Sequence, residues 1–597
     1  MKRLVSIVVL SAITLSTVRA HVGLHPSVHD TVAAIKQRMK RDLTARALIS
    51  LTGEQAERFL TKEERRVLGA EHISFRVNVP VVVSVVRTKD TTPPFWLKDR
   101  GFDRTEWQVR AGGQTLEIWR KPFPAGEVGL GVNSLRGGGE HYFVAIEPQR
   151  ASDKVAVADI YPGQHTLGVV EVGALPYVDR KEAIEAVPPG LQGRTLLRAQ
   201  QSRRNDAQLV GVFRATSYPA SNQPDHIVLT WSENPRTTQT IQWRTSTDVA
   251  TGAVAYQRKR DYRSFNPKKP LEVKALTESL ATPDVVNDPI VHRHTAVLRG
   301  LEPDTSYVYS VGDGSDDGWT ELAEFTTAPE GIKPFSFIYM GDAQNGLDRW
   351  GTLVHNAYRT RPDAAFYMMA GDLVNRGAER DDWDSLFANA AGIYDRRPLV
   401  PALGNHECQG GDPKLYLSQF ALPRNGPSEL APERAYSFEY SNAYFVVLDS
   451  NLPPASQSAW LEEQLAATKA TWKFVMYHHP AYSSAPNRDN KSIRDVWIPI
   501  FDRYHVDMAL QGHDHAYLRT YPMHGNQRVE SPKRGTVYVV SVSGTKMYEQ
   551  DKRDYTEIGF TNTATYQVLD IQISGDRLVY RAVDIDGKVR DELVIEK

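Results

Sequence analysis

Val506-Asp-Met-Ala-Leu-Gln-Gly-His-Asp-His515 (VDMALQGHDH) is a short, mainly apolar run that ends in a glycine and then in residues able to bind metals. The same grammar recurs in FSFIYM-GDAQ (335–344), AAFYMMA-GDLVN (364–375) and PLVPAL-GNHE (398–407), and without the glycine in WKFVMY-HHP (472–480). Such runs read as buried strands. Their alternation with helical segments past Pro334 implies a layered α/β domain over residues 330–597. In open α/β sheets ligands bind beyond the carboxyl ends of the strands, so these endings should converge on one site.

Working outward, residues 207–329 hold short strands such as HIVLTWSE (226–233), TIQWRTST (240–247) and HTAVLRGLEPDTSYVYSVGDG (294–314), separated by turn residues at the spacing of a β-sandwich. Residues 173–206, with VPPGLQGR (187–194), are rich in Pro, Gly and Arg and read as a linker with one helix over 180–186. Residues 71–172 carry ISFRVNVPVVVSVVR, WQVRAGGQTLEIWR and HYFVAIEP, the pattern of a small β-domain of no recognised family. Over 21–70 the spacing of Val32, Ile35, Met39 and Leu43, and then of Phe59, Leu60, Val67 and Leu68, predicts two short helices. Thr61 and Glu64 form a capping box for the second.

Residues 1–20 pair Lys2 and Arg3 with an apolar run too short to span a bilayer, then place Val18 and Ala20 at the small-residue positions of a cleavable secretion signal. Cleavage after Ala20 would send the chain to the periplasm or the medium, with no transmembrane anchor. Cys408 is the sole cysteine, so no intrachain disulfide forms. The 71 basic and 72 acidic residues nearly cancel, so no overall field recruits nucleic acid. The 597 residues imply several domains, at about 100–200 residues each.

Taken singly, Asp342 or Asp372 after a strand is an ordinary turn or cap residue, and His513 or His515 an ordinary surface histidine. Together the set has a chemistry. Two cations about 3.5–4 Å apart need a shared anionic bridge, neutral co-ligands and open positions for water and substrate. Asp372 suits the bridge, Asn405 offers an amide oxygen, and His478, His513 and His515 complete a mixed N/O environment fit for Fe, Mn or Zn. Water held by such a pair becomes a nucleophile near neutral pH.

The order GDAQ, GDLVN, GNHE, VMYHHP, GHDH resembles the calcineurin-like metallophosphoesterases, specifically the purple acid phosphatase-like branch. The resemblance covers roughly residues 207–597, with the phrase YSFEYSNAYFVVLDSN (436–451) in support. It implies an αββα sandwich preceded by a fibronectin type III-like domain, in which Leu301-Glu302-Pro303 is followed by Tyr307 and Tyr309, and a tyrosine near a strand corner can bond back to the chain. It also implies one metal on Asp342, Asp372 and His515, a second on Asp372, Asn405, His478 and His513, and His406 contacting the phosphate. Glu407 then orients its neighbours, and His479 is left to a supporting role.

Two departures stand out. Where purple acid phosphatases carry a metal-binding tyrosine this chain has Asn375, so no tyrosinate–iron colour is expected. Where other metallophosphoesterases carry a histidine it has Gln344. Either amide can donate an oxygen. In the loop after His478 the extra histidines of plant-type members are missing, and Arg488 is the candidate in their place, with Tyr517 and Arg519 further pocket candidates beside GHDH. The expected activity is hydrolysis of a small phosphorylated substrate, most readily a phosphomonoester. Diesters on the same core, or a catalytically silent surface protein, are the alternatives.

Overall fold

The computed structural model describes residues 27–137, 139–202, 207–262, 269–315, 317–572 and 576–597. The secretion signal expected over 1–20 lies outside the described residues. Among them, no helix is long and apolar enough to cross a membrane. The chain divides into two compact units, Met1–Arg214 and Ala215–Lys597.

The first unit opens with helices Val28–Asp42, Ala45–Ile49, Gly53–Phe59 and Lys62–Ala70. There are four rather than two because Ser27, Thr44, Thr52 and Thr61 each cap a helix with the side chain, dividing a continuous apolar periodicity. The Thr61–Glu64 capping box is present in both directions. A seven-stranded antiparallel sheet follows, in the order 166–169, 195–198, 143–148, 81–88, 114–123, 103–111, 184–186. The linker expected over 173–206 is therefore part of this domain, and no helix forms over 180–186. Ile184–Ala186 and Thr195–Arg198 are strands of the sheet, and Ile184, Leu191 and Leu196 share a core with Phe143. Proline and glycine here punctuate tight turns between short strands, a composition that a free linker shares.

The second unit begins with two four-stranded antiparallel sheets, Asp225–Thr230, Thr238–Thr245, Ile290–Arg299 and Leu276–Ala281 in one, Leu271–Lys274, Ala253–Arg258, Ser306–Gly312 and Ala323–Thr326 in the other. Trp243, Ile241, Val254, Leu298 and Tyr309 fill the space between them. Of the two corner candidates Tyr307 makes the bond, its hydroxyl accepting from the Glu302 N–H at 2.9 Å. The sandwich is fastened to the α/β layers by buried polar contacts. The Arg244 guanidinium donates to Asp384 at 2.7 Å and to Asp225, and Tyr309 Oη to the Asp395 carbonyl at 2.5 Å.

Beyond Pro334 two sheets stack face to face. One is ordered 399–401, 367–369, 335–340, 565–571, 577–584, 589–596, the other 436–440, 443–447, 472–476, 508–511, 537–540, 517–520, 556–560. Phe337 and Phe366 of the first meet Phe445 and Phe474 of the second, with ring centroids 5.3 Å apart. Helices Leu347–Thr360 and Arg380–Asn389, and Ala455–Ala467 with Ile498–Tyr504, supply the further apolar side chains that pack on these sheets. Strands 335–340, 367–369 and 399–401 run parallel, as do 443–447, 472–476, 508–511 and 537–540. Parallel pairing brings all five ligand-bearing strand ends to the same edge of the layers.

Candidate metal centre

Each chain segment that leaves these strands turns at once, and the turns are strained where the ligands sit. Asp342, Asp372, His513 and His515 all adopt positive φ, at 45°, 52°, 75° and 47°. A left-handed non-glycine residue costs on the order of 1–3 kcal/mol. That expense aims two carboxylates and two imidazoles inward. The motif glycines serve the same end, because a Cβ on Gly404 would collide with the Asp372 carboxylate and one on Gly512 with that of Asp342.

Two groups of ligand atoms result. Asp372, His478 and His513 each bring an atom within 4.8 Å of the others, and so do Asp342, Asp372 and His515, with Asp372 common to both. In the first group His478 Nε2 lies 3.3 Å from Asp372 Oδ2, 3.1 Å from Asn405 Oδ1 and 3.1 Å from His513 Nδ1. In the second, His515 Nε2 lies 3.5 Å from Asp342 Oδ1. The six expected ligands thus converge.

The surroundings fix which nitrogen faces the site. His478 Nδ1 lies 2.8 Å from the Ala370 carbonyl and His515 Nδ1 2.8 Å from that of Lys546. Since a carbonyl only accepts, each Nδ1 carries the proton and each Nε2 turns toward the carboxylates. Burial pushes His515 down to about 4, and burial with the adjacent His478 drives His513 lower still. Both are therefore neutral ligands at neutral pH. His478 behaves differently. Burial opposes its charge, but Asp372 and Asp342 hold it up at about 9, so without a cation its proton offsets the converging negative charge.

The arrangement fits a cation better than it fits a proton. Asp342 Oδ1 and Gln344 Oε1 are buried with no hydrogen-bond partner among the described residues. Such unsatisfied acceptors each cost about 1–3 kcal/mol, which a bound ion recovers.

Glu407 holds the two central loops together. Its buried carboxylate accepts from the N–H groups of Asp372, Leu373, Val374 and Gly404. His406 donates its own N–H to Asp372 Oδ1 at 2.9 Å, and its Nδ1 lies 2.5 Å from the Asn375 carbonyl. Its Nε2 is thereby left free of that bond, 3.8 Å from Asp372 Oδ2, on a side chain that is partly exposed. His479 sits beside the centre with its Nδ1 2.8 Å from the Ser450 hydroxyl.

Of the proposed pocket residues, Arg488 lies beside the centre, and Tyr517 and Arg519 do not. Arg488 donates to Asp514 Oδ1 at 2.8 Å and to the His513 carbonyl, pinning the GHDH turn. The buried Asp514 carboxylate demands a cationic partner, and Arg488 supplies it. Tyr517 and Arg519 point away from the site. Tyr517 Oη donates to Asp591 at 2.6 Å, and Arg519 pairs with Asp591 and Glu557. Residues two apart on a strand share a face, and this face is turned into the layers. Asn375 meets the centre through its main-chain carbonyl. Sequence reasoning missed Tyr548, whose ring lies 4.6 Å from that of His515. It stands 33 residues beyond His515 with no motif to mark it.

Residues 224–327 match the family model described as the N-terminal domain of purple acid phosphatase, and residues 335–517 match that of calcineurin-like phosphoesterase. An uncharacterised protein of Mycobacterium tuberculosis is 27% identical over 341 residues, covering 50% of this chain and 62% of that one. The Fe(3+)-Zn(2+) purple acid phosphatase 12 of Arabidopsis thaliana is 26% identical over 326 residues, covering 51% of this chain and 66% of its own. The chain thus spans somewhat less than two thirds of the length of these relatives. Purple acid phosphatase PPD1 from yellow lupin shares the fold, with a TM-score of 0.55 at 16% identity over 89% of this chain and 91% of that one.

Proposed function

We propose that this chain, a calcineurin-like phosphoesterase of the purple acid phosphatase-like branch, hydrolyses phosphate esters, phosphomonoesters foremost, at a centre of two metal ions. The observation that carries this reading is the pair of ligand groups joined through Asp372. Asp342, Asp372 and His515 would hold one ion, and Asp372, Asn405, His478 and His513 the other. The mixed carboxylate, amide and imidazole donors suit Fe, Mn or Zn. When bound, the cations supply Lewis acidity toward the phosphate oxygens and acidify water near neutral pH.

The protein's own residues do the rest. Only Asp342 and Asp372 bring negative charge to the ligand set, so a phosphate anion meets a net attractive site. His406, held by Asn375 through Nδ1, keeps Nε2 beside Asp372, where it would stabilise charge on the phosphate or supply a proton to the leaving alkoxide. Four strained ligand positions support an active centre over a silent surface protein, since a relic has no reason to retain that expense. The leader read over residues 1–20 supports action outside the cytoplasm, on a small phosphorylated substrate.

Turnover of p-nitrophenyl phosphate against bis(p-nitrophenyl) phosphate by the metal-loaded chain tests the substrate class. A higher kcat/KM for the monoester is expected. Preference for the bis ester would make the chain a phosphodiesterase, and no turnover of either would remove the proposal.

A further inference from the structure

Gln344 is fully buried two residues beyond Asp342. Its amide nitrogen lies 2.9 Å from Asp372 Oδ2 and 3.2 Å from His515 Nε2. Its carbonyl oxygen is buried and has no hydrogen-bond partner among the described residues. Because His515 Nδ1 carries its ring proton toward the Lys546 carbonyl, His515 Nε2 is a lone pair, and so is the facing oxygen of Asp372. The amide NH2 therefore sits as a donor between two acceptors. Those acceptors belong to the two residues that, with Asp342, make up the second ligand group.

This contact and a cation exclude each other. An ion held by Asp372 and His515 takes up the lone pairs to which the NH2 donates, and it would leave the amide protons facing a positive charge. An amide is nearly symmetric in shape, and a half-turn about its last bond exchanges nitrogen for oxygen within the same volume. The half-turn also resolves the orphaned oxygen, which leaves a site without a donor and reaches one with a cation.

We infer that Gln344 is itself a ligand of the metal ion held by the second group, its amide turning over on loading so that Oε1 joins Asp342, Asp372 and His515. The inference rests on the two-metal reading proposed above. Of the two amides at the altered positions, it is Gln344 whose nitrogen touches Asp372 and His515 and whose oxygen is orphaned, whereas Asn375 meets the centre through its main-chain carbonyl. It also assigns a metal preference. The fourth donor is a neutral oxygen, and the position that would supply a tyrosinate holds Asn375, so two carboxylates, one of them shared, are the only negative ligands. That charge suits a divalent ion such as Mn²⁺ or Zn²⁺ over iron(III).

The test uses the full chain stripped by a chelator and titrated with Mn²⁺ or with Zn²⁺ by calorimetry, with metal counted per chain after desalting. Wild type should take up two ions. Gln344→Leu should bind one ion as wild type does and the other at least about ten-fold more weakly. Gln344→Glu discriminates further, because a carboxylate coordinates but cannot donate. It should retain both ions and tighten the weaker one if Oε1 is the ligand, and loosen it if the NH2 is the working group. Two ions bound to Gln344→Leu within two-fold of wild-type affinity, or a loosened Gln344→Glu, would overturn the assignment. Fewer than two ions on wild type would instead sink the two-metal reading beneath it. Should Gln344→Leu fail to fold, judged by circular dichroism, the Gln344→Glu arm alone decides.

Discussion

Changing Glu407→Gln should loosen the metal centre without altering a ligand. One carboxylate oxygen accepts from Asp372 N and Gly404 N, both at 2.8 Å, and the other from Leu373 N at 2.9 Å and Val374 N at 3.3 Å. This single side chain therefore ties the loop of the shared carboxylate to the loop of Asn405 and His406. In glutamine one oxygen becomes an NH2 that faces two N–H donors. Two charge-assisted bonds of about 1.5–3 kcal/mol each are lost. Relief of a buried charge offsets part of that, leaving a net destabilisation on the order of 2–4 kcal/mol. Displacement of Asp372 should weaken metal binding by about 10–100-fold, the usual effect of removing a group that orients a ligand. Calorimetric metal titration and chemical denaturation of the two proteins measure both quantities. Wild-type affinity together with unchanged stability would refute the idea that Glu407 organises the centre.

Other consequences are equally open to measurement. His406→Ala should lower kcat by about 10²–10⁴-fold while both ions stay bound; metal loss in step with activity would make His406 a support of the ligands and remove it from the chemistry. Arg244→Leu strips the partner from Asp384, both side chains being 2% exposed, and should cost about 3–5 kcal/mol in chemical denaturation. A cost under about 1 kcal/mol would mean that Arg380, 3.9 Å from Asp384, already compensates. Burial and the nearby His292 push His294 down to about 4 from an ordinary 6.5, so the unfolded chain binds its proton first as pH falls. The stability this neutral histidine contributes is whole above pH 6.5 and is lost toward pH 4, amounting to about 2 kcal/mol at pH 5. His294→Gln should flatten that part of the stability–pH curve, and an unchanged slope would exclude the mechanism.

The α/β layers and the convergence of their strand-end residues were legible because each of those residues is tied to a local signal. A buried apolar run, a glycine and a metal-binding residue stand within a few positions of one another, and parallel strand pairing does the rest. The fibronectin-like corner was legible for the same reason, since Tyr307 and Glu302 are five residues apart. What failed depended on direction or on distance along the chain. Tyr517 and Arg519 follow GHDH closely, yet strand alternation turns them into the layers, and adjacency does not reveal which face a strand presents. Arg488 lies beside the centre, but its bond to the buried Asp514 carboxylate is one that its sequence neighbours do not announce. The linker over 173–206 was misjudged because Pro and Gly mark both free chain and the turns of short strands.

The most direct trial of the two-metal account is to reload the stripped chain stepwise with Mn²⁺ or Zn²⁺, counting ions per chain and following p-nitrophenyl phosphate hydrolysis on the same samples. Activity should appear as loading approaches two ions per chain, and Asp372→Ala should lose both the ions and the activity. Turnover by the stripped chain, or full activity in Asp372→Ala, would contradict it.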